Sequence, residues 1–449
     1  MLGALSTIFW GVIVLSLLVG IHEFGHFIVA RLCDVRVTEF FLGMPSRARI
    51  SFKSKRHGTE FGITPILLGG YNRICGMEPV DDDLLADVLA YIYRTGSVRI
   101  DDVAQAFSID SDRAVAILST LVDWASVRMD DTVDHDDPVF RTIPRDAGFL
   151  TEYDTGRDAR AIAAHADGDV YEIPFDNAAF LASEKSRVYQ GIGFGKRLAM
   201  LVMGPLVNIL FAFITVVFAL SVVGMKGGSL EPTIGSVYEG SLAEAAGIEP
   251  GDTVLSMGGH EISDWYGISD ALDELLPTGE DFDIVVERAG ERVVLSVDNP
   301  EDGSAEMLGI TNTLVTVRLP LGDAVAAAFE YAGQVADFAL RLINPAHTME
   351  VVGQSSSIVG MSVMASEAAS AGVFDLLLVV AAISMSLGFM NLLPLPPLDG
   401  GKILFELIQL VTGKPVSVKV QNIVSYVGLA LLLALFLFVL KNDIVRYFM

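Results

Sequence analysis

The chain has 449 residues, 52% of them hydrophobic, and a mean hydropathy of +0.50. That is too apolar for a soluble protein of roughly two to four domains. Its 56 acids against 30 Lys and Arg give a formal net charge of −26, which argues against nucleic acid as a partner, and the two cysteines, Cys33 and Cys75, exclude a disulfide framework and argue against a cysteine-built metal site.

The hydrophobicity is concentrated in four runs, roughly 5–30, 198–223, 374–393 and 420–440. Each is long enough to cross a bilayer as a helix of ~20 residues. The first reads as a retained span and not a signal peptide, since no basic stretch precedes it and no small-residue cleavage site follows. Charge sets the expected orientation. Arg31, Arg36, Arg47, Arg49, Lys53, Lys55 and Arg56 follow the first run, Lys185, Arg187, Lys196 and Arg197 lead into the second, and Lys402, Lys414 and Lys419 separate the third from the fourth. The positive-inside bias puts these loops in the cytoplasm, and the acidic loop between runs two and three outside with both termini. The expected location is the cytoplasmic membrane, crossed several times.

Residues 36–80 alternate apolar and polar residues between turn signals, which predicts short β-strands in a membrane-associated loop. Residues 81–176 are acidic and hold no spanning run. Apolar residues recur at helical spacing over 84–93, 103–107 and 113–124, followed by a stretch that reads as a two-stranded wing. This segment resembles a winged-helix module. Its third helix offers Arg113 amid aspartates, so a regulatory protein partner is expected there rather than DNA. Residues 177–225 read as a pre-span helix and the second span. Within 226–320, "PTIGSVYEGSLAEAAGIEPGDTVLSMGGHEISDW" resembles a PDZ domain, a module that binds extended peptide at a sheet edge. In 321–373 an amphipathic helix over 322–342 is expected to lie along the outer membrane surface, with a small-residue, flexible linker after it. Residues 374–410 hold the third span, and 411–449 the fourth and a tail.

The polar exception inside the first run is "HEFGH". On a helix His22 and His26, four apart, project from one face and match the spacing by which two imidazoles hold one zinc ion, with Glu23 placed to take a proton from water at the open position. An ionisable side chain at mid-bilayer costs ~2.5–3.5 kcal/mol on insertion scales and marks function by default. Two histidines that merely bonded neighbouring helices would leave the glutamate unexplained. A hydrolytic zinc site needs a third protein ligand. Asp399 is the one carboxylate in "NLLPLPPLDGG", where prolines and glycines are expected to prevent regular helix. Such backbone is tolerated at membrane depth where it lines a cavity or is buried in protein. His347 with Glu350 is the competing ligand pair, on a loop expected outside.

With these motifs in place, the chain resembles the site-2 protease family of intramembrane zinc metalloproteases, in its bacterial envelope-stress branch with one PDZ domain. "MGPLVNILFA" matches the family's Gly-Pro-x-x-Asn element through Gly204, Pro205 and Asn208. The resemblance implies a polytopic α-helical membrane protein with four transmembrane helices, a membrane-associated β-loop, an extracytoplasmic PDZ domain and, as a departure from the family, a cytoplasmic winged-helix-like insert. It implies a Zn2+ cofactor, transmembrane protein or peptide substrates (anti-sigma factors, remnant signal peptides) and the lipid bilayer as partner. It implies substrate-binding roles for Asn391, Asn208 and Gly204, although Asn208 also reads as a helix-packing hydrogen bond. A non-proteolytic membrane scaffold and a metal transporter using the same ligands are the rival readings. Neither needs the general base Glu23.

Overall fold

In the computed structural model, which describes residues 2–78, 82–130, 138–300, 307–344, 346–414 and 416–448, the chain divides into two compact units, Met1–Val216 with Ala326–Met449, and Val217–Val325. The boundary expected at 80/81 and the tip of the expected wing, 131–137, lie outside the described residues.

The first unit opens with α1, Leu2–Leu32. At 1.5 Å per residue this helix is ~45 Å long, more than a bilayer's hydrocarbon thickness of ~30 Å. Four strands follow: β1 (Val37–Leu42), β2 (Ile50–Lys53), β3 (Glu60–Ile63) and β4 (Gly70–Ile74), in the sheet order β2-β3-β1-β4. β1 runs parallel to β3 and antiparallel to β4. Aromatic side chains join sheet to helix: Phe27 of α1 packs edge-on against Phe40 and Phe61, with ring centroids 5.6 and 5.4 Å away.

The insert is built from α2 (Leu85–Thr95), β5 (Ser97–Val98), α3 (Ile100–Phe107), α4 (Ser111–Asp123), β6 (Val127–Asp130) and β7 (Val139–Thr142), with strand order β5-β7-β6. The apolar faces of the helices meet in one core around Leu89, Ile92, Ile117, Leu118 and Phe140. A short helix α5 (Ala159–Ile162) precedes α6 (Asn177–Lys185). Phe180 of α6 is fully buried in the same core. A boundary at 176 therefore cuts through packed structure, and α6 belongs to the insert's fold rather than to the span that follows. Arg113 on α4 is held by Asp82, at 2.8 and 2.9 Å, and by Asp83, so its guanidinium is already neutralised.

Four ionised groups meet in a buried cluster, three from the insert and its α6 and one, Arg36, from the residue before β1. The Arg36 guanidinium donates both to Asp154 (2.7 and 2.8 Å) and to Glu184 (2.8 Å), and Arg145 donates two bonds of 2.9 Å to Glu184. Arg36 and Glu184 are 0% exposed and Arg145 is 1% exposed. Burial raises the Glu184 carboxyl, but the Arg145 and Arg36 charges outweigh it and hold it well below the usual carboxylate range.

α7 (Phe194–Phe218) is the helix of the second apolar run. The second unit carries β8 (Met225–Gly228), β9 (Ile234–Val237), α8 (Leu242–Ala245), β10 (Thr253–Met257), β11 (His260–Glu261), α9 (Trp265–Leu275), β12 (Phe282–Arg288), β13 (Glu291–Val297), β14 (Ile310–Asn312) and β15 (Leu314–Val317). β11-β10-β12-β13 form an antiparallel sheet, and β9–β14 and β8–β15 pair separately. Inward residues of alternating strands, Val254, Ile284, Val286 and Val297, make its core with Ile268 of α9.

Back in the first unit come α10 (Leu321–Ile343), α11 (Thr348–Gln354), α12 (Ile358–Ala371), α13 (Val373–Asn391), α14 (Asp399–Thr412) and α15 (Val418–Phe448). Four helices, Gly3–Leu32, Phe194–Val223, Val373–Asn391 and Val418–Tyr447, are long and apolar enough to cross a membrane by length and composition. The stretch expected to be a flexible linker is instead the helix α12. Its small residues let it close onto α1: Ser366 and Ser6 hydroxyls are 2.8 Å apart, and a Cβ on Gly11 would fall 2.0 Å from Ser362 Oγ. Small-residue packing of this kind is how helices associate where lipid removes the hydrophobic drive.

Candidate metal centre

The centre is assembled from three helices of the first unit. α1 contributes His22, Glu23 and His26, and helical spacing alone puts the two imidazoles on one face. α14 contributes Asp399 as its first residue. The expectation that prolines and glycines exclude helix around Asp399 holds only for 392–398. Gly400 and Gly401 sit inside α14, where a Cβ would fall 2.1 Å from Leu393 O and 2.3 Å from Pro396 N. They let the preceding loop fold back on the helix start. α7 is tied to α14 by Arg197, which donates a 2.9 Å bond to Glu406, and Tyr189 donates to the same carboxylate at 3.0 Å.

His22 Nε2 lies 3.0 Å from Asp399 Oδ2, His26 Nε2 lies 3.2 Å from the same oxygen, and the two Nε2 atoms are 3.2 Å apart. Both histidines are buried, 8% and 7% exposed. Among the described residues this is the one group of three or more potential ligands that converges. His347 and Glu350 face each other at 3.5 Å, half exposed, and join no such group.

The donor chemistry calls for a cation. His26 Nδ1 is 2.7 Å from the carbonyl of Met200, an acceptor, so Nδ1 carries the hydrogen and a neutral ring presents a lone pair at Nε2. That lone pair faces a carboxylate oxygen and a second Nε2. Zinc with bonds of about 2.0–2.1 Å in tetrahedral geometry separates neighbouring ligand atoms by about 3.3 Å, close to the spacings observed. The residues fit zinc, with three protein ligands and one position left for chemistry.

Around the triad is a cavity of ≈ 180 Å³ lined by Glu23, Tyr71, Asn72, Met200 and Lys402 among others. The Glu23 main chain is held by β4, where Asn72 Nδ2 donates to Glu23 O at 2.9 Å. Three further residues were expected at the substrate, Gly204, Asn208 and Asn391. Gly204 lies under His26: a Cβ there would come within 2.2 Å of His26 Nε2, so its lack of a side chain is what admits the imidazole. Asn208 is fully buried with Nδ2 3.5 Å from His22 Nδ1, and its Oδ1 has no hydrogen-bond partner. Turning the amide over would let Oδ1 accept from His22 Nδ1–H, the arrangement by which outer groups orient a metal-binding imidazole. Asn391 donates to Leu387 O of its own helix at 3.0 Å and is not among the residues lining the cavity. Met200, Tyr71, Asn72 and Lys402 escape a sequence reading, because only tertiary pairing brings them to the triad. The Lys402 spacing of three from Asp399 was the single available signal.

Two buried histidines and a glutamate of an apolar helix, met by an aspartate from another helix, are the side chains a membrane-embedded zinc hydrolase needs. The chain belongs to peptidase family M50, the site-2 proteases, whose model matches residues 10–435. It is similar to "Zinc metalloprotease RasP" of Geobacillus kaustophilus, 26% identical over 465 residues and 100% of both chains. "Probable protease eep" of Enterococcus faecalis is 26% identical over 446 residues, covering 99% of this chain and 100% of the relative. "Regulator of sigma-W protease RasP" of Bacillus subtilis is 25% identical over 452 residues and 99% of both. The protein is an intramembrane zinc metalloprotease.

Proposed function

We propose that His22, His26 and Asp399 hold the zinc, that Glu23 is the general base, and that the protein hydrolyses peptide bonds within membrane-spanning segments of other proteins. The observation that carries this reading is the meeting of His22, His26 and Asp399 at 3.0–3.2 Å at the wall of a cavity that also receives Glu23. When bound, zinc supplies Lewis acidity that acidifies water and polarises a carbonyl. Glu23 takes the proton of the attacking water and passes it to the nitrogen as the C–N bond breaks. The Met200 carbonyl keeps His26 in the ligating tautomer, and Asn72 fixes the backbone that presents Glu23.

A helical substrate hides its carbonyls in i→i−4 bonds and must unwind before attack. β4 has β1 as its strand partner and brings Tyr71 and Asn72 to the cavity, which suits it to pair with an extended substrate and replace the hydrogen bonds that are costly to lose in lipid. In this reading four helices span the cytoplasmic membrane, with the insert inside and the second unit and both termini outside, as the basic residues direct. The helix and strand order of the insert, α2-β5-α3-α4-β6-β7, supports a winged-helix-like module with a protein partner. The second unit's strands and two helices support a PDZ-like module that selects substrates already trimmed outside. The "Regulator of sigma-W protease" relative supports anti-sigma factors as one substrate class.

The test uses full-length protein in detergent with a model transmembrane substrate. Glu23→Gln keeps its zinc and loses cleavage; cleavage at the parent rate would remove proteolysis from this site.

A further inference from the structure

Acyl transfer at this centre develops negative charge on the scissile carbonyl oxygen. Donors aimed at that oxygen are among the largest contributors to such catalysis. Most of the donors around the cavity are committed. Tyr71 donates its hydroxyl to Glu39 at 3.0 Å, and Asn72 donates to the Glu23 carbonyl. His26 spends Nδ1 on Met200, and both Nε2 atoms face the metal position. Lys402 is different. It lies three residues beyond Asp399 on α14, on the same helix face, and its side chain lines the triad's cavity. It reaches a second cavity of ≈ 260 Å³ as well, walled by Pro396, Gln409 and Gln421. The ammonium makes no hydrogen bond or ion pair with any described residue.

We propose that Lys402 is a catalytic residue of the hydrolysis, its ammonium donating to the scissile carbonyl oxygen as that oxygen becomes negative. A lysine suits the task as a compact point charge with three donors on a flexible stem, able to swing onto the oxygen from the cavity mouth. In the step, the water oxygen bonds to the carbonyl carbon and the C=O π pair moves onto oxygen beside Lys402. Glu23 accepts the water proton. When the pair returns, the C–N bond breaks and Glu23 delivers the proton to the leaving nitrogen. Lys402 keeps its own protons throughout. Glu23 lines the same cavity, so the base that carries the proton and the cation that stabilises the charge share one site. A membrane-edge lysine that only sends its amine to water has no need to line the cavity next to the base.

The proposal rests on the reading of Glu23 as base, and its experiment separates the two. Full-length protein in detergent is prepared as parent, Glu23→Gln, Lys402→Met and Lys402→Arg. Zinc content, kcat and KM on a model transmembrane substrate, and affinity for a phosphonamidate peptide of the same sequence are measured. Lys402→Met is expected to keep one zinc per chain and the parent KM while kcat falls about 10²–10³-fold, the loss typical of one oxyanion donor. Phosphonamidate affinity should fall in parallel with kcat/KM, because that anion imitates the charged oxygen. Lys402→Arg should recover part of both. An unchanged kcat, a change confined to KM, or phosphonamidate affinity equal to the parent's overturns the proposal, as does loss of zinc or fold in both Lys402 variants. If Glu23→Gln cleaves normally, the reading of the whole site fails instead.

Discussion

Two clusters of buried ionisable side chains lie in the same unit, and their hydrogen bonding differs in kind. Where the insert meets the start of β1, Arg36, Arg145, Asp154 and Glu184 bring two positive and two negative charges together. Every charged partner there is met by a donor or acceptor of the opposite role, at 2.7–2.9 Å in the principal contacts. Ser126 adds a further bond to Glu184 at 2.6 Å, and Arg145 donates to Tyr93 at 2.7 Å. At the triad, by contrast, two imidazole Nε2 atoms and a carboxylate oxygen crowd one point, and the His26 Nε2 lone pair faces the carboxylate acceptor. A closed network fixes a shape, whereas a set of acceptors with no shared hydrogen is completed by a cation. Burial alone does not distinguish a structural cluster from a chemical one; the balance of donors and acceptors does.

The sharpest way to break this contrast is to delete one member of each cluster. Asp399→Ala removes the triad's only anion, and purified protein should lose both zinc, by metal analysis, and all measurable cleavage. The insert should remain folded, because none of its charged pairs includes Asp399. Zinc retained in full would show that the three atoms are not its ligand set. Glu184→Gln should do the reverse. It leaves two buried guanidiniums facing one carboxylate, at an expected cost of about 3–5 kcal/mol, read as faster hydrogen exchange and proteolysis within 85–185, with zinc content unchanged. The pH dependence has a definite sign. Glu184 is depressed in the folded state, so its stabilisation is complete above the unfolded glutamate value of about 4.3. It is lost as pH falls below that toward the folded value, because the unfolded chain takes up the proton first. Insert stability that declined between pH 8 and 6 would point to other groups.

How much of this was open to a reader of the sequence depends on whether the physics is local. The shared face of His22 and His26 follows from helical periodicity, and the four apolar runs follow from length against bilayer thickness. Asp399 stands out as the lone carboxylate in its proline-rich segment. The start of α14 at Asp399 was hidden, because composition argues for broken backbone there and only the fold shows the loop at 392–398 pressing on Gly400 and Gly401. α12 escapes composition for a related reason: its serines, alanines and glycines look like linker until α1 is beside them. The membership of α6 in the insert, through Phe180, and the closure of the Arg36 cluster across residues 36, 145, 154 and 184 depend on long-range packing that no local pattern announces. Gly204 belongs to a sequence motif, but its reason, the space taken by His26, is visible only in three dimensions.

The smallest expected effect tests whether the triad has a closed network of its own behind the ligands. Asn208 on α7 lies beside His22 Nδ1, its Nδ2 3.5 Å away. Ser384 of α13 pins its main chain with a 2.9 Å bond to Asn208 O. If the amide oxygen faces Nδ1–H, it holds His22 in the tautomer that presents Nε2 to the metal, as the Met200 carbonyl does for His26. Losing such an outer partner typically costs 10–100-fold in metal affinity or activity. Asn208→Ala is therefore expected to weaken zinc about 10–100-fold, measured by competition with a chelator of known affinity. Asn208→Asp, which still accepts from Nδ1–H and adds negative charge, should bind at least as tightly as Asn208→Ala and recover part of the loss. The KM for substrate should stay near the parent's in both. Zinc affinity unchanged in Asn208→Ala would leave the residue as a packing contact between α7 and α13. A rise in KM with zinc unchanged would return it to the substrate side.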